Sequence, residues 1–188
     1  MTGSTGHPAR SGTGGEATLF WEDLTPGRAF DLGVTRVDRA EMVAFARRYD
    51  PQWYHVDERL AAESEFGGLI ASGFFTVSLF MRAYVDGLLS RAAAAASPGL
   101  EELRWLAPVR AGDALAVRAE VVASARSRAR PDCGTVTLRG TMARIAPDVA
   151  DLARAATADL APAAADVAPE PVLRVQFRGW FRRRPPTA

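Results

Sequence analysis

Apolar positions keep a mostly helical spacing through the first half of the chain and alternate through the second. A Pro26-Gly27 turn leads into an extended stretch over residues 28–37 that breaks at Gly33. Asp38 then stands where a helix cap is needed, and Glu41, three residues on, completes a capping box. The helix expected from there runs through Met42 to Tyr49, buries Met42, Phe45 and Ala46, and stops at Pro51. Residues 50–56 read as an ordered turn, with Asp57 capping a short helix beyond it. Gly67, Gly68 and Gly73 mark a loop that bends sharply or admits another backbone. From Gly73 onward Phe74, Phe75, Val77, Leu79, Phe80, Met81, Tyr84, Val85 and Leu88 fall on nearly every face, the pattern of a helix buried all round.

Beyond that helix the period shortens. The stretch LEELRWLAPVRAGDALAVRAEVV predicts two strands broken at Pro108 and Gly112-Asp113, with Leu115, Val117 and Ala119 alternating. Residues 126–134 read as a loop and 135–145 as a further strand. Residues 147–171 are rich in Ala, Asp and Pro and poor in large apolar side chains, which predicts an inserted excursion. A last strand follows, with Leu173, Val175 and Phe177 on one face. Helices first and antiparallel strands after them make an α+β class, with a sheet wrapped around one helix.

Composition narrows the setting. The 188 residues suit one domain, expected over 19–184, with a Gly/Ser/Thr-rich disordered tail at 1–18 and a frayed end at 185–188. A net charge of +1 argues against general attraction to nucleic acid. Arg82 and Asp86 interrupt the most apolar segment, so no membrane span and no signal peptide are expected. Cys133, the single cysteine, lies in a hydrophilic stretch and reads as an incidental loop thiol, which fits a reducing cytoplasm and no metal or redox role.

Outside the tail the chain has one histidine, His55, five residues after Asp50. A carboxylate beside an imidazole orients the ring and raises its basicity, as acid–base work at neutral pH requires. On spacing alone, a structural histidine between Trp53 and Tyr54 explains the pattern as well. The loop from Gly67 to Ser72-Gly73 runs straight into the apolar helix, whose first amides are unpaired donors at the positive end of its dipole. A Gly73 amide there suits a thioester carbonyl, although close packing alone also calls for such glycines.

The segments Asp50-Pro-Gln-Trp-Tyr-His55 and Phe66-Gly-Gly-Leu-Ile-Ala-Ser-Gly73, with Pro108-Val-Arg-Ala-Gly-Asp113 later, resemble the MaoC-like family that includes R-specific enoyl-CoA hydratases. The resemblance covers about residues 19–146 and 172–184. It implies a hot-dog fold, a strongly curved antiparallel sheet around a central helix, commonly paired as a homodimer. It also implies that Asp50 and His55 are the catalytic pair and that the Gly73 amide is the oxyanion donor. The expected reaction is hydration of a 2-enoyl thioester or dehydration of a 3-hydroxyacyl thioester. No cofactor is implied beyond the CoA or carrier-protein pantetheine that the substrate brings. The family's pattern departs here at Gln52-Trp53, and at Ser72 where a histidine often stands, so Trp53, Ser72, Phe74 and Phe75 are expected to shape the substrate pocket. Arg126 and Arg128, with Arg130 beside them, are candidates for CoA phosphates, against the plainer reading of a solvated loop. A thioesterase on the same fold is the nearest competing activity, but the first acid of the apolar helix is Asp86, several turns in. A non-catalytic acyl-thioester-binding subunit is the other alternative.

Overall fold

A computed structural model describes residues 11–146 and 169–186. The first strand, β1 (Ala29–Arg36), is followed by α1 (Arg39–Tyr49), two short helices α2 (Trp53–Val56) and α3 (Glu58–Ala62), and the central helix α4 (Gly73–Tyr84). A π-helical turn (Val85–Leu89) extends α4 before β2 (Ala94–Trp105), β3 (Ala114–Arg126), β4 (Cys133–Ile145) and β5 (Glu170–Arg182). The five strands form one antiparallel sheet in the order β1-β3-β4-β5-β2.

Several local expectations hold for the physical reasons given. Asp38 caps α1 by accepting from the Glu41 amide at 2.8 Å, and Asp57 caps α3 through the Leu60 amide at 2.9 Å. At Gly33, with φ +85°, the register of β1 against β3 shifts between Asp31 and Val34, as an inserted glycine permits. The inward faces of β3, β4 and β5 present Leu115, Val117, Val121, Val136, Leu138, Met142, Leu173 and Val175 as one buried layer. Phe80 of α4 seats its ring on the backbone of Gly140 in β4, and packs with Tyr84 and Phe177. This contact joins helix to sheet, and it needs a glycine opposite the ring.

Tertiary pairing decides other segments. Residues 50–56 are not only a turn but carry the helical turn α2. In the tail expected at 1–18, residues 11–18 are tied to the domain at a few points: the Gly12 amide donates to Leu89, the Thr18 amide donates to Arg91, and Ser11 and Ala17 are buried while the rest are exposed. Residues 1–10, most of the insert at 147–171 and residues 187–188 lie outside the described residues, and β5 begins at Glu170. The Ala run that follows α4 enters strand because Ala93 bonds Leu19 and Arg182 and Ala94 pairs with Phe181. Paired neighbours outweigh alanine's helix propensity. Cys133 is a buried residue at the start of β4, not a loop thiol, and burial pushes its thiol pKa up.

The central helix is not buried all round. Phe75, Thr76, Phe80, Ala83 and Tyr84 face the core, whereas Phe74 and Met81 are 60% and 51% exposed. One sheet covers only one face of a helix. The opposite face leaves Phe74 and Met81 open alongside Ser78 and Arg82, and Phe74 packs on the exposed Trp105 that ends the edge strand β2.

Replacing Gly140 with Ala puts a methyl 2.2 Å from the Phe80 ring and 2.8 Å from Val175. Urea unfolding should show a loss of roughly 1–3 kcal/mol, and adding Phe80→Leu should recover part of it.

Candidate active site

Asp50 is the C-terminal cap of α1, where Pro51 prevents the helix from continuing. The chain doubles back through bonds from the Gln52 amide to the Asp50 carbonyl and from the His55 amide to the Gln52 carbonyl. That fold-back sets His55 Nε2 3.4 Å from Asp50 Oδ2. His55 is 4% exposed, while Asp50 keeps a quarter of its side chain in solvent. One member of the pair is locked and the other reaches the surface.

The loop at residues 66–72 fixes both members. His55 Nδ1 lies 2.9 Å from the Ile70 carbonyl, which can only accept, so Nδ1 carries a proton and Nε2 is the atom turned to Asp50. Ser72 Oγ donates to Asp50 Oδ2 at 2.7 Å, and Gln52 Nε2 donates to Oδ1 at 2.8 Å. The Ser72 bond, opposed by burial and aided by Gln52 and His55, holds the Asp50 carboxyl below the usual carboxylate range. The loop itself is anchored by the Ala71 amide on Val109 O at 2.8 Å and by the Arg110 guanidinium on the carbonyls of Phe66 and Leu69. Asp113 in turn accepts from the Arg110 amide at 2.8 Å and from Arg144 at 3.0 Å.

Gly73 opens α4 directly after Ser72, and the first intrahelical bond runs from the Thr76 amide to the Ser72 carbonyl. The amides of Gly73, Phe74 and Phe75 therefore have no acceptor within the helix. Anionic carboxylate, imidazole and helix N-terminus converge on residues 70–73. This arrangement can hold a water between Oδ2 and Nε2 and polarise an oxygen at the head of α4.

Some expected residues fall elsewhere. Ser72 is fully buried on Asp50, so it positions the carboxylate and does not line a substrate pocket. Phe75 points into the core against Phe45, with ring centroids 5.5 Å apart, and does not line one either. Trp53 and Phe74 are exposed, one on α2 and the other at the head of α4. Arg126 ends β3 and Arg128 lies just beyond it, at the far end of a thirteen-residue strand whose near end adjoins the Val109–Asp113 turn. At ~3.3 Å per residue that is about 40 Å of strand, so one chain does not bring them to the dyad. Asp86 is exposed and paired with Arg82 at 2.7 Å. Among the described residues no cluster of His, Cys, Asp or Glu is placed to hold a metal ion. Two contributors escaped the sequence reading. Arg110 lay within a motif with no visible partner, and Trp105, against Gly73, was hidden in an ordinary strand pattern.

A model of the MaoC like domain matches residues 23–143. The chain belongs to this MaoC-like family. Among solved structures it is similar to the MaoC-like dehydratase from Rhodospirillum rubrum, with 35% identity, a TM-score of 0.67, and coverage of 89% of this chain and 99% of that one. The R-hydratase PhaJ1 from Pseudomonas aeruginosa shares the fold at 17% identity and a TM-score of 0.61, over 90% of this chain and 96% of that one. An uncharacterized Bacillus subtilis protein, YdeM, is 28% identical over 54% of this chain and 72% of its own length. The MaoC-like protein thus has the hot-dog fold, and its family supports hydratase or dehydratase chemistry. No helix among the described residues is long and apolar enough to cross a membrane.

Because Asp50's pKa is depressed in the folded protein, its ionisation favours folding above the ordinary carboxyl range. That contribution is lost as pH falls through the lowered folded value. Ser72→Ala should raise the Asp50 pKa, read by carboxyl carbon chemical shift against pH. It should also lower Tm at neutral pH, with the gap from wild type closing as the medium is acidified below the carboxyl range.

Proposed function

We propose that this MaoC-like protein hydrates a trans-2-enoyl thioester, or runs the reverse dehydration of a 3-hydroxyacyl thioester, with acyl-CoA as the carrier. The observation that carries this reading is the Asp50–His55 pair tied through Ser72 to the first turn of α4. The thioester carbonyl accepts from the Gly73 amide, so negative charge that develops on its oxygen meets the helix dipole. Water sits between the two side chains, with one hydrogen directed at Asp50 and the other at His55 Nε2.

The lowered pKa of Asp50 divides the labour. A carboxylate held anionic by Ser72 and Gln52 orients the water but is a weak base. His55 Nε2 takes the water's proton as oxygen bonds to the β-carbon. The same Nε2–H then protonates the α-carbon as the enolate collapses. Water has then added across the double bond and the imidazole is restored. Each proton transfer is a general acid–base step, worth typically a hundredfold or more. Hydrolysis finds less support, because Asp86 is tied to Arg82 on the surface.

A homodimer completes this reading. The edge strand β2 meets the head of α4 where Trp105 packs on Phe74, and a second copy of the chain would cover the unpaired edge and the exposed Phe74 and Met81.

Purified protein mixed with crotonyl-CoA and longer 2-enoyl-CoAs should bleach the absorbance of the conjugated thioester. Asp50→Asn and His55→Ala should each reduce kcat/KM by at least about a hundredfold while melting cooperatively. Binding of these thioesters without turnover at any chain length would instead mark a non-catalytic acyl-binding subunit. Light scattering should give twice the chain mass, and Met81→Arg on the open helix face should halve it.

A further inference from the structure

We infer that the indole N–H of Trp105 is a second hydrogen-bond donor to the substrate carbonyl, acting beside the Gly73 amide. This inference rests on the hydratase reading above. Trp105 is the last residue of β2, paired with Leu173 of β5, and the next amide, Leu106, is bonded to Val172. The strand end is therefore fixed, and its side chain extends over the head of α4.

There the indole lies flush on Gly73. A Cβ built on Gly73 would stand 2.5 Å from Trp105 Nε1 and 2.4 Å from Cε2, so only glycine admits the ring. The nitrogen-bearing edge, not the benzo edge alone, meets the backbone. Phe74 packs edge-on against the indole, with centroids 5.6 Å apart and planes at 72°, and holds its orientation.

Distances decide whether the two donors can share one oxygen. A residue's own nitrogen lies about 2.5 Å from its Cβ by covalent geometry. Adding the 2.5 Å to Nε1 bounds the separation of the Gly73 nitrogen and the indole nitrogen at about 5 Å. One oxygen about 2.9 Å from each of two N–H groups spans nitrogens up to nearly 6 Å apart. The separation therefore allows both donors to reach a single carbonyl oxygen.

Trp105 is 48% exposed, and its Nε1 donates to no group among the described residues. An indole nitrogen can only donate. An N–H with no acceptor of its own, set against an amide that also lacks an intrahelical acceptor on a residue about half exposed, is poised for an acceptor from outside the protein. Trp105 would also lay its apolar face along the acyl chain next to Phe74, excluding water from the enolate.

The test separates the N–H from the ring. Trp105 is replaced by Phe, and separately by the benzothiophene amino acid, which keeps the two-ring shape with sulfur in place of N–H. Enoyl-CoA turnover is measured together with the absorbance shift of a bound 4-dimethylaminocinnamoyl thioester, which moves to the red as its carbonyl is polarised. Both variants should lose roughly a hundredfold in kcat with KM little changed, as for other lost oxyanion donors, and part of the red shift. A benzothiophene variant with wild-type kcat and red shift would overturn the inference and leave Trp105 a packing role. If wild type does not turn over, the hydratase reading fails, and the red shift alone still decides: smaller in the two variants supports the donor, equal or absent in all three proteins overturns it.

Discussion

The hydrogen bond from Ser72 to Asp50 ties the helical segment at 39–56 to the head of the central helix. With the bond from His55 Nδ1 to the Ile70 carbonyl, it makes one loop the reference frame for both side chains of the dyad. Neither bond would fix anything if that loop were free. Its backbone is held by Val109 and Arg110, and Arg110 by Asp113, which also accepts from Arg144 of β4. Although burial opposes the charge on Arg144, Asp113 and Glu170 outweigh it and keep the guanidinium protonated. The rigidity of the sheet is thereby passed, bond by bond, to a carboxylate and an imidazole that lie on other elements.

The same bonds set the chemistry. A carboxylate that accepts from a serine and an amide is stabilised as an anion and surrenders basicity. An imidazole whose Nδ1 is committed to a carbonyl has a single working nitrogen, and here that nitrogen faces the anion. Two titratable groups in contact thus sit in different environments: one is wrapped in donors and the other is given an acceptor. The helix N-terminus adjoins them through Ser72, and through Ile70 of the loop that leads into it.

The sheet and helix leave business unfinished at the opposite side. A five-stranded sheet with β2 at its edge covers the Phe80 and Tyr84 face of α4 and leaves Phe74 and Met81 open. The exposed apolar face of the helix and the open strand edge are two consequences of the same geometry. Phe74 and Trp105, in contact edge to face, stand where the head of the helix meets the end of that strand.

Much of this was legible in residue order. Local rules sufficed for the caps at Asp38 and Asp57, the break at Gly33 and the alternation in β3, β4 and β5, since each depends on a few adjacent residues. The pairing of Asp50 with His55 was suggested by a Pro-directed turn five residues long, and residues resembling a known motif carried it further. What contact across the fold decides could not be read in this way. Ser72 looked like a pocket residue until its hydroxyl was found on Asp50, and Phe75 until its ring was found against Phe45. An Ala run with strong helical propensity became strand because β5 and Leu19 lay ready to pair with it. A tryptophan in a strand end came to rest on Gly73, more than thirty positions earlier. Sequence alone determined what each segment prefers by itself; only the tertiary structure decided which groups meet, because burial and pairing depend on neighbours that no local window contains.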